Sequence, residues 1–102
     1  MGDHDEDRVQ TLHPNPEKSG PRIHRWKYDA VRRAILNALP TAEPGFRFRD
    51  LTGAVRDRLS EDELGALGSA SWYVVTVKLD LEARGEISRL PGAGPQRLIR
   101  TT

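Results

Sequence analysis

The chain has no cysteine among its 102 residues, which excludes disulfide frameworks, zinc–thiolate sites and cysteine nucleophiles. Aromatic residues are few, with two each of tryptophan, tyrosine and phenylalanine. Hydrophobic residues make up 36%, enough for one small core but modest for the full length, so one domain is expected with part of the chain outside it. Long apolar runs are missing as well. None approaches the roughly 18 residues that a membrane span needs. The N-terminal MGDHDEDRVQ is acidic, unlike the basic-then-apolar start of a signal peptide. These features lead to the expectation of a soluble, cytoplasmic protein.

A dominant charge is lacking too. The formal net charge is +1, but the first 22 residues hold five acids and three bases, which leaves +3 on the remainder. A slightly basic body permits nucleic-acid contact without the strongly basic footprint of a dedicated binder. A solvated mixed-charge surface is the simpler account of it.

The residues that are present divide the chain in two. Residues 1–22 combine an acidic cluster with HPNPEKSGP, whose prolines and glycine oppose a helix or a central strand. A flexible arm is expected there, with Val9, Leu12 and Ile23 as the aliphatic anchors that would let part of it lie on the body. Residues 23–102 carry periodic patterns. In WKYDAVRRAILNALP, a step of about 100° per residue gathers Tyr28, Val31, Ile35, Ala38 and Leu39 on one face of a helix that Pro40 stops. FRF can form a short strand, and RDLTGAVRDRL a second helix with Leu51, Val55 and Leu59 inward. SEDEL has the capping-box spacing of Ser60 with Glu63, which predicts a short helix through Leu67 ended by Gly68. Ser69 or Ser71 can cap the next helix, from about Ala70 to Arg84, and Gly85 ends it. EISRL and QRLIR around PGAGP predict a hairpin.

The order helix, short strand, helix, helix, hairpin is that of a winged helix-turn-helix domain. LDLEARGEISR resembles the join between recognition helix and wing in such proteins, with Leu81, Glu82, Ala83, Gly85 and Ile87 in the matching roles. More of the chain, through HPNP, KYDAVRRAIL, SWYVVTVKLDLEARG and RLIR, resembles a family of small uncharacterised bacterial proteins with a winged-helix-like domain. The resemblance implies an α+β winged-helix-like fold and supplies no catalytic residues. The chain departs from a simple helix-turn-helix between Ser60 and Gly68, which is longer than the usual turn of three or four residues.

Three sets of residues bear on function. Six arginines, Arg47, Arg49, Arg56, Arg58, Arg89 and Arg97, surround the second helix and the PGAGP loop, where they could hold DNA phosphates or be solvated or paired with Asp50, Asp57 and Glu86. The long helix has two apolar stripes: Tyr73, Val74, Val77 and Leu81 as a core face, and Trp72, Val75 and Leu79 nearly opposite. A major-groove reader would carry Arg, Lys, Asn or Gln on that second stripe, and Asp80 and Glu82 would face phosphate repulsively. The stripe is therefore expected under a second layer, either the arm or another subunit. His4, His13 and His24 match no metal-ligand spacing. No Ser-His-Asp arrangement appears, and the GAG of the hairpin has neither a following helix nor a P-loop lysine. A non-enzymatic protein without cofactor, metal or small-molecule substrate is expected. Its function is open between weak DNA binding, as in a transcriptional regulator, and protein interaction or homodimerisation through Trp72, Val75 and Leu79.

Overall fold

A computed structural model describes residues 7–101. Its architecture is α+β, with two small antiparallel sheets and four α-helices among the described residues. Strand β1 (Arg8–Gln10) pairs with β2 (Arg22–His24), and β2 runs directly into helix α1 (Arg25–Ala38). After β3 (Phe46–Arg47) and a 3-10 turn over Phe48–Asp50 come α2 (Leu51–Asp57), α3 (Glu61–Leu67) and α4 (Ala70–Ala83). The chain closes with β4 (Ile87–Arg89) and β5 (Arg97–Arg100). Strand β5 lies between β3 and β4, antiparallel to both.

The core forms where the apolar periodicities meet. Val31, Ala34 and Ile35 of α1 pack with Leu51 and Val55 of α2, Val74, Val77 and Leu81 of α4, and Ile87 and Leu98 of the sheet. Ala30 and Ala34 also lie inside, because their small side chains let α1 pack closely, a contribution that a count of large apolar residues overlooks. Phe46 and Phe48 are half-buried against this core. Leu39 and Leu59 are buried beyond the ends of their helices.

Local chemistry sets the helix boundaries. Ser60 Oγ accepts from the Glu63 backbone N–H at 3.0 Å, and the Glu63 carboxylate accepts from the Ser60 N–H at 2.9 Å, so the capping box of α3 is complete. The bond from the Ser60 backbone, reinforced by Arg33, holds the Glu63 carboxyl below its ordinary pKa. Ser69 Oγ accepts from Trp72 N–H at 3.2 Å and caps α4. At the other end, Gly85 takes φ of 78°, a left-handed conformation in which a side chain would be strained.

The proline-rich segment follows the body. Val9 and Ile23 pair across β1 and β2 and are buried, so two of the three aliphatic anchors hold. Leu12, the third, stays 40% exposed. Thr11 is fully buried, its hydroxyl donating to the Pro21 carbonyl at 2.6 Å. The acidic tip with His4 lies outside the described residues.

Candidate functional site

Helix α4 is built from residues with indifferent helix propensity. Val74, Val75, Thr76 and Val77 are consecutive β-branched residues, which lose rotamer freedom in a helix. Burial compensates, since Val74, Val77 and Leu81 are completely enclosed and each such side chain contributes about 1.5–3 kcal/mol. Tyr73, expected with them, is half-buried at the margin of the core.

The polar residues of α4 are inside. Asp80 has no exposed surface, although the amphipathic pattern places it outward, repelling phosphate. Its carboxylate accepts from the Leu12 backbone N–H at 2.8 Å, from the Tyr28 hydroxyl, and from Arg84 Nε at 2.9 Å. A buried carboxylate is tolerated when its lone pairs are filled in this way. Burial raises the Tyr28 phenol above its ordinary pKa, and the bond to Asp80 and that residue's charge add to the rise. The same carboxylate raises the pKa of Arg84, whose guanidinium also reaches the Gln10 carbonyl at 3.4 Å. Asp80 thus ties α4 to α1 and to the segment after β1. Lys78 and Glu82 form a second i,i+4 pair at 3.2 Å, with the Lys78 ammonium 5.0 Å from the Phe48 ring centre. Glu82 therefore does not present a free charge either.

With these charges paired, the open face of α4 carries none. Trp72 is 46% and Val75 41% exposed, and Leu79 is half-buried. The described part of the arm fastens to Asp80 and leaves Trp72 open. Trp72 meets Tyr73 edge to face with ring centres 4.8 Å apart. The Lys27 ammonium lies 5.1 Å from the Tyr73 ring centre and 5.8 Å from that of Trp26, and donates to the Leu67 carbonyl at 3.1 Å. A chain of contacts therefore joins Trp72 to Trp26, itself 42% exposed. Leu12 lies beside α4 through its bond to Asp80. Among the described residues, the large hydrophobic side chains most open to water are Leu12, Trp26, Trp72 and Val75.

The arginines do not converge as one surface. Arg47 and Arg97 stand directly opposite each other in β3 and β5, and Arg89 lies across from Leu98. Arg49 is 4.0 Å from Asp50, both exposed, a weak pair. Arg58 donates to the Ala54 carbonyl at 2.9 Å and so finishes its own helix, while Arg56 projects into solvent. Glu86, a possible partner for these residues, is bound by Arg32 instead. Of the histidines, His13 accepts from the Asn15 N–H at 3.0 Å, and His24 borders a shallow hollow beside Trp26. No group of three or more His, Cys, Asp or Glu that could hold a metal occurs among the described residues. No helix among them is long and apolar enough to cross a membrane.

A family model spans residues 8–98, from β1 to the second residue of β5. The chain belongs to DUF6958, a family of unknown function. The DUF6958 match includes the ribbon formed by β1 and β2 together with the helical body. No curated protein and no solved structure matches the chain at a significant level.

Proposed function

We propose that this protein is a non-catalytic, winged-helix-like cytoplasmic module that self-associates through the open face of α4. The fold reading is supported by the strand order β3-β5-β4, with the helices α2, α3 and α4 inserted between β3 and β4. The observation that carries the functional reading is the uncharged stripe of Trp72, Val75 and Leu79 on a helix whose charged neighbours are already paired. A second copy is the partner that suits it. The stripe offers no charge for an oppositely charged partner to recognise. Its spacing of three and four residues is that of a helix–helix seam. A two-fold axis passing between Val75 and Thr76 sets Trp72 against Leu79 of the second copy and Leu79 against its Trp72, so the surface complements itself. A stable interface needs about 800 Å² per partner. The stripe supplies only part of that area, so a weak association is expected, with a dissociation constant of about 1–100 μM.

A second reading has its own support. Arg47 and Arg97 are like charges placed opposite each other, an arrangement that costs stability in a strand pair and is relieved by an anion. Duplex DNA held through phosphate contacts to these residues, with Arg49, Arg56, Arg58 and Arg89, would bind weakly, without sequence preference and with steep salt dependence. Sedimentation over a dilution series, with and without duplex DNA, separates the two. Self-association predicts a change from monomer to dimer mass with rising concentration, insensitive to DNA. A monomer at every concentration that binds DNA at low salt would overturn the first reading in favour of the second.

A further inference from the structure

The register of the three-stranded sheet sorts its residues onto two faces. Phe46 and Leu98 stand opposite each other and lie against the core, Leu98 with no exposed surface. Successive strand residues alternate between faces, so Arg47 and Arg97, the next pair along, stand together on the outer face. Arg47 is exposed and Arg97 half-buried. They form a pair of the closer kind. The Phe48 N–H donates to the Gln96 carbonyl at 2.9 Å, which makes that neighbouring pair a hydrogen-bonded one. The two kinds alternate along an antiparallel ladder, so Arg47 and Arg97 are a non-hydrogen-bonded pair, with Cα atoms about 4.5 Å apart.

Nothing among the described residues answers these two charges. Neither guanidinium enters an ion pair or a side-chain hydrogen bond there. Their neighbours on the outer face, Leu90 across from Arg97 and Ile99 further along β5, are uncharged. Like charges directly opposite each other destabilise a strand pair. Arg97 cannot move away at its base, because the turn at Gly45 packs on its stem: a Cβ on Gly45 would lie 3.4 Å from the Arg97 Cβ. The other arginines do not extend the pair into a track. Arg89 stands across from Leu98 on the opposite face, Arg58 bonds the Ala54 carbonyl of its own helix, and Arg49 lies against Asp50. A duplex carries its phosphates along two strands and is held through many of them. A compact ligand needs only the pair.

We propose that Arg47 and Arg97 form a site on the outer face of the sheet for a small phosphate monoester dianion. The site rests on the anion chemistry of the second reading and replaces the duplex with a compact ligand. A terminal phosphate has three free oxygens and a charge near −2, enough to fill two guanidinium forks side by side, whereas a backbone diester brings one charge and two free oxygens. Glu43 borders the cleft beside Arg97, and its carboxylate opposes the anion.

The test is an NMR titration of the full chain at about pH 8, where a monoester is doubly charged, with methyl phosphate and with dimethyl phosphate as the diester. A short duplex DNA is the third arm. Saturable shifts of the Arg47 and Arg97 side-chain Nε–H signals are expected with methyl phosphate at low millimolar concentration, with dimethyl phosphate about tenfold weaker or less. Arg47→Gln and Arg97→Gln should each weaken methyl phosphate about tenfold, and Glu43→Gln should tighten it. An amide spectrum unchanged away from the sheet confirms that each variant is folded. Dimethyl phosphate binding as tightly as methyl phosphate, together with duplex DNA that displaces it, overturns the proposal and leaves the duplex reading standing. No saturable shift with any of the three up to about 50 mM phosphate groups, or methyl phosphate binding that both arginine variants retain, overturns the site itself.

Discussion

The two sides of helix α4 reverse the usual arrangement. On one side a carboxylate, Asp80, is completely buried and accepts from three residues, Leu12, Tyr28 and Arg84, while on the other a tryptophan stands almost half in water. A charge is kept inside only if every one of its bonds is made, because an uncompensated buried ion costs several kcal/mol. A large apolar ring in water forgoes burial of about 150–250 Å² of surface. The buried side is complete within one chain. The open side is the one proposed to be completed by a second chain, and the difference between the two predicts opposite responses to substitution.

The largest effect is expected on the buried side. Asp80→Ala strips the acceptor from the Tyr28 hydroxyl, the Leu12 N–H and Arg84 together, and should cost about 3–5 kcal/mol of folding stability. Denaturant unfolding measures it. Amide exchange at Leu12 should accelerate, and the folded fraction should keep its tendency to dimerise. An unchanged midpoint would mean that the segment after β1 is not held through Asp80.

Next comes the open side. Trp72→Asp should weaken self-association by about two orders of magnitude or more, since central aromatic residues dominate interfaces and a charge there would be buried without a partner. Stability of the monomer should change by about 1 kcal/mol or less, as for other exposed positions. A large loss of stability with no change in mass would make Trp72 part of the core.

A smaller effect sharpens the account of the Asp80 side. The Tyr28 phenol is held protonated in the folded protein above its ordinary pKa of 10.0, mainly by burial and then by Asp80. The unfolded chain ionises first as pH rises, so this contribution to stability is present below about pH 10 and is lost above it. Tyr28→Phe should cost about 1.5–3 kcal/mol at neutral pH through the bond to a charged acceptor. It should also flatten the alkaline limb of the stability curve relative to the wild type. Equal slopes for both proteins above pH 10 would contradict the assignment.

The smallest effect concerns the helix that both sides share. Ser69→Ala removes the side-chain cap on Trp72 N–H and should cost about 1 kcal/mol. Ser69→Gly should cost only a few tenths of a kcal/mol, if the loss is one of capping rather than packing.

Much of the fold was legible because local rules and packing agree. The capping box at Ser60, the stop at Gly85, the hairpin around PGAGP and the inward face of α1 all rest on short-range chemistry that the tertiary structure keeps. The polar side of α4 was harder to read, because an outward-facing Asp80 is what amphipathic periodicity predicts and its main partners, Tyr28 and Leu12, are far away in sequence. A local clue was present in VKLDLEAR, where Lys78 with Glu82 and Asp80 with Arg84 stand four residues apart, each able to neutralise its partner and be buried with it. The arm showed the opposite bias. Its prolines suggest extended chain, yet Val9, Thr11 and Ile23 give the segment from Arg8 to His24 a buried side of its own. The open stripe of Trp72, Val75 and Leu79 was legible as a second apolar face, because its spacing alone sets it apart from the core face.

The most direct measurement uses Trp72 as its own reporter. In a Trp26→Phe variant, Trp72 is the single remaining tryptophan, and quenching of its fluorescence by acrylamide can be followed from nanomolar to high micromolar protein. Self-association through α4 predicts a ring that is readily quenched in dilute solution and becomes protected as the mass doubles, with both transitions at the same concentration. A Trp72 equally accessible at every concentration, or a dimer that forms while its quenching stays unchanged, would contradict the account.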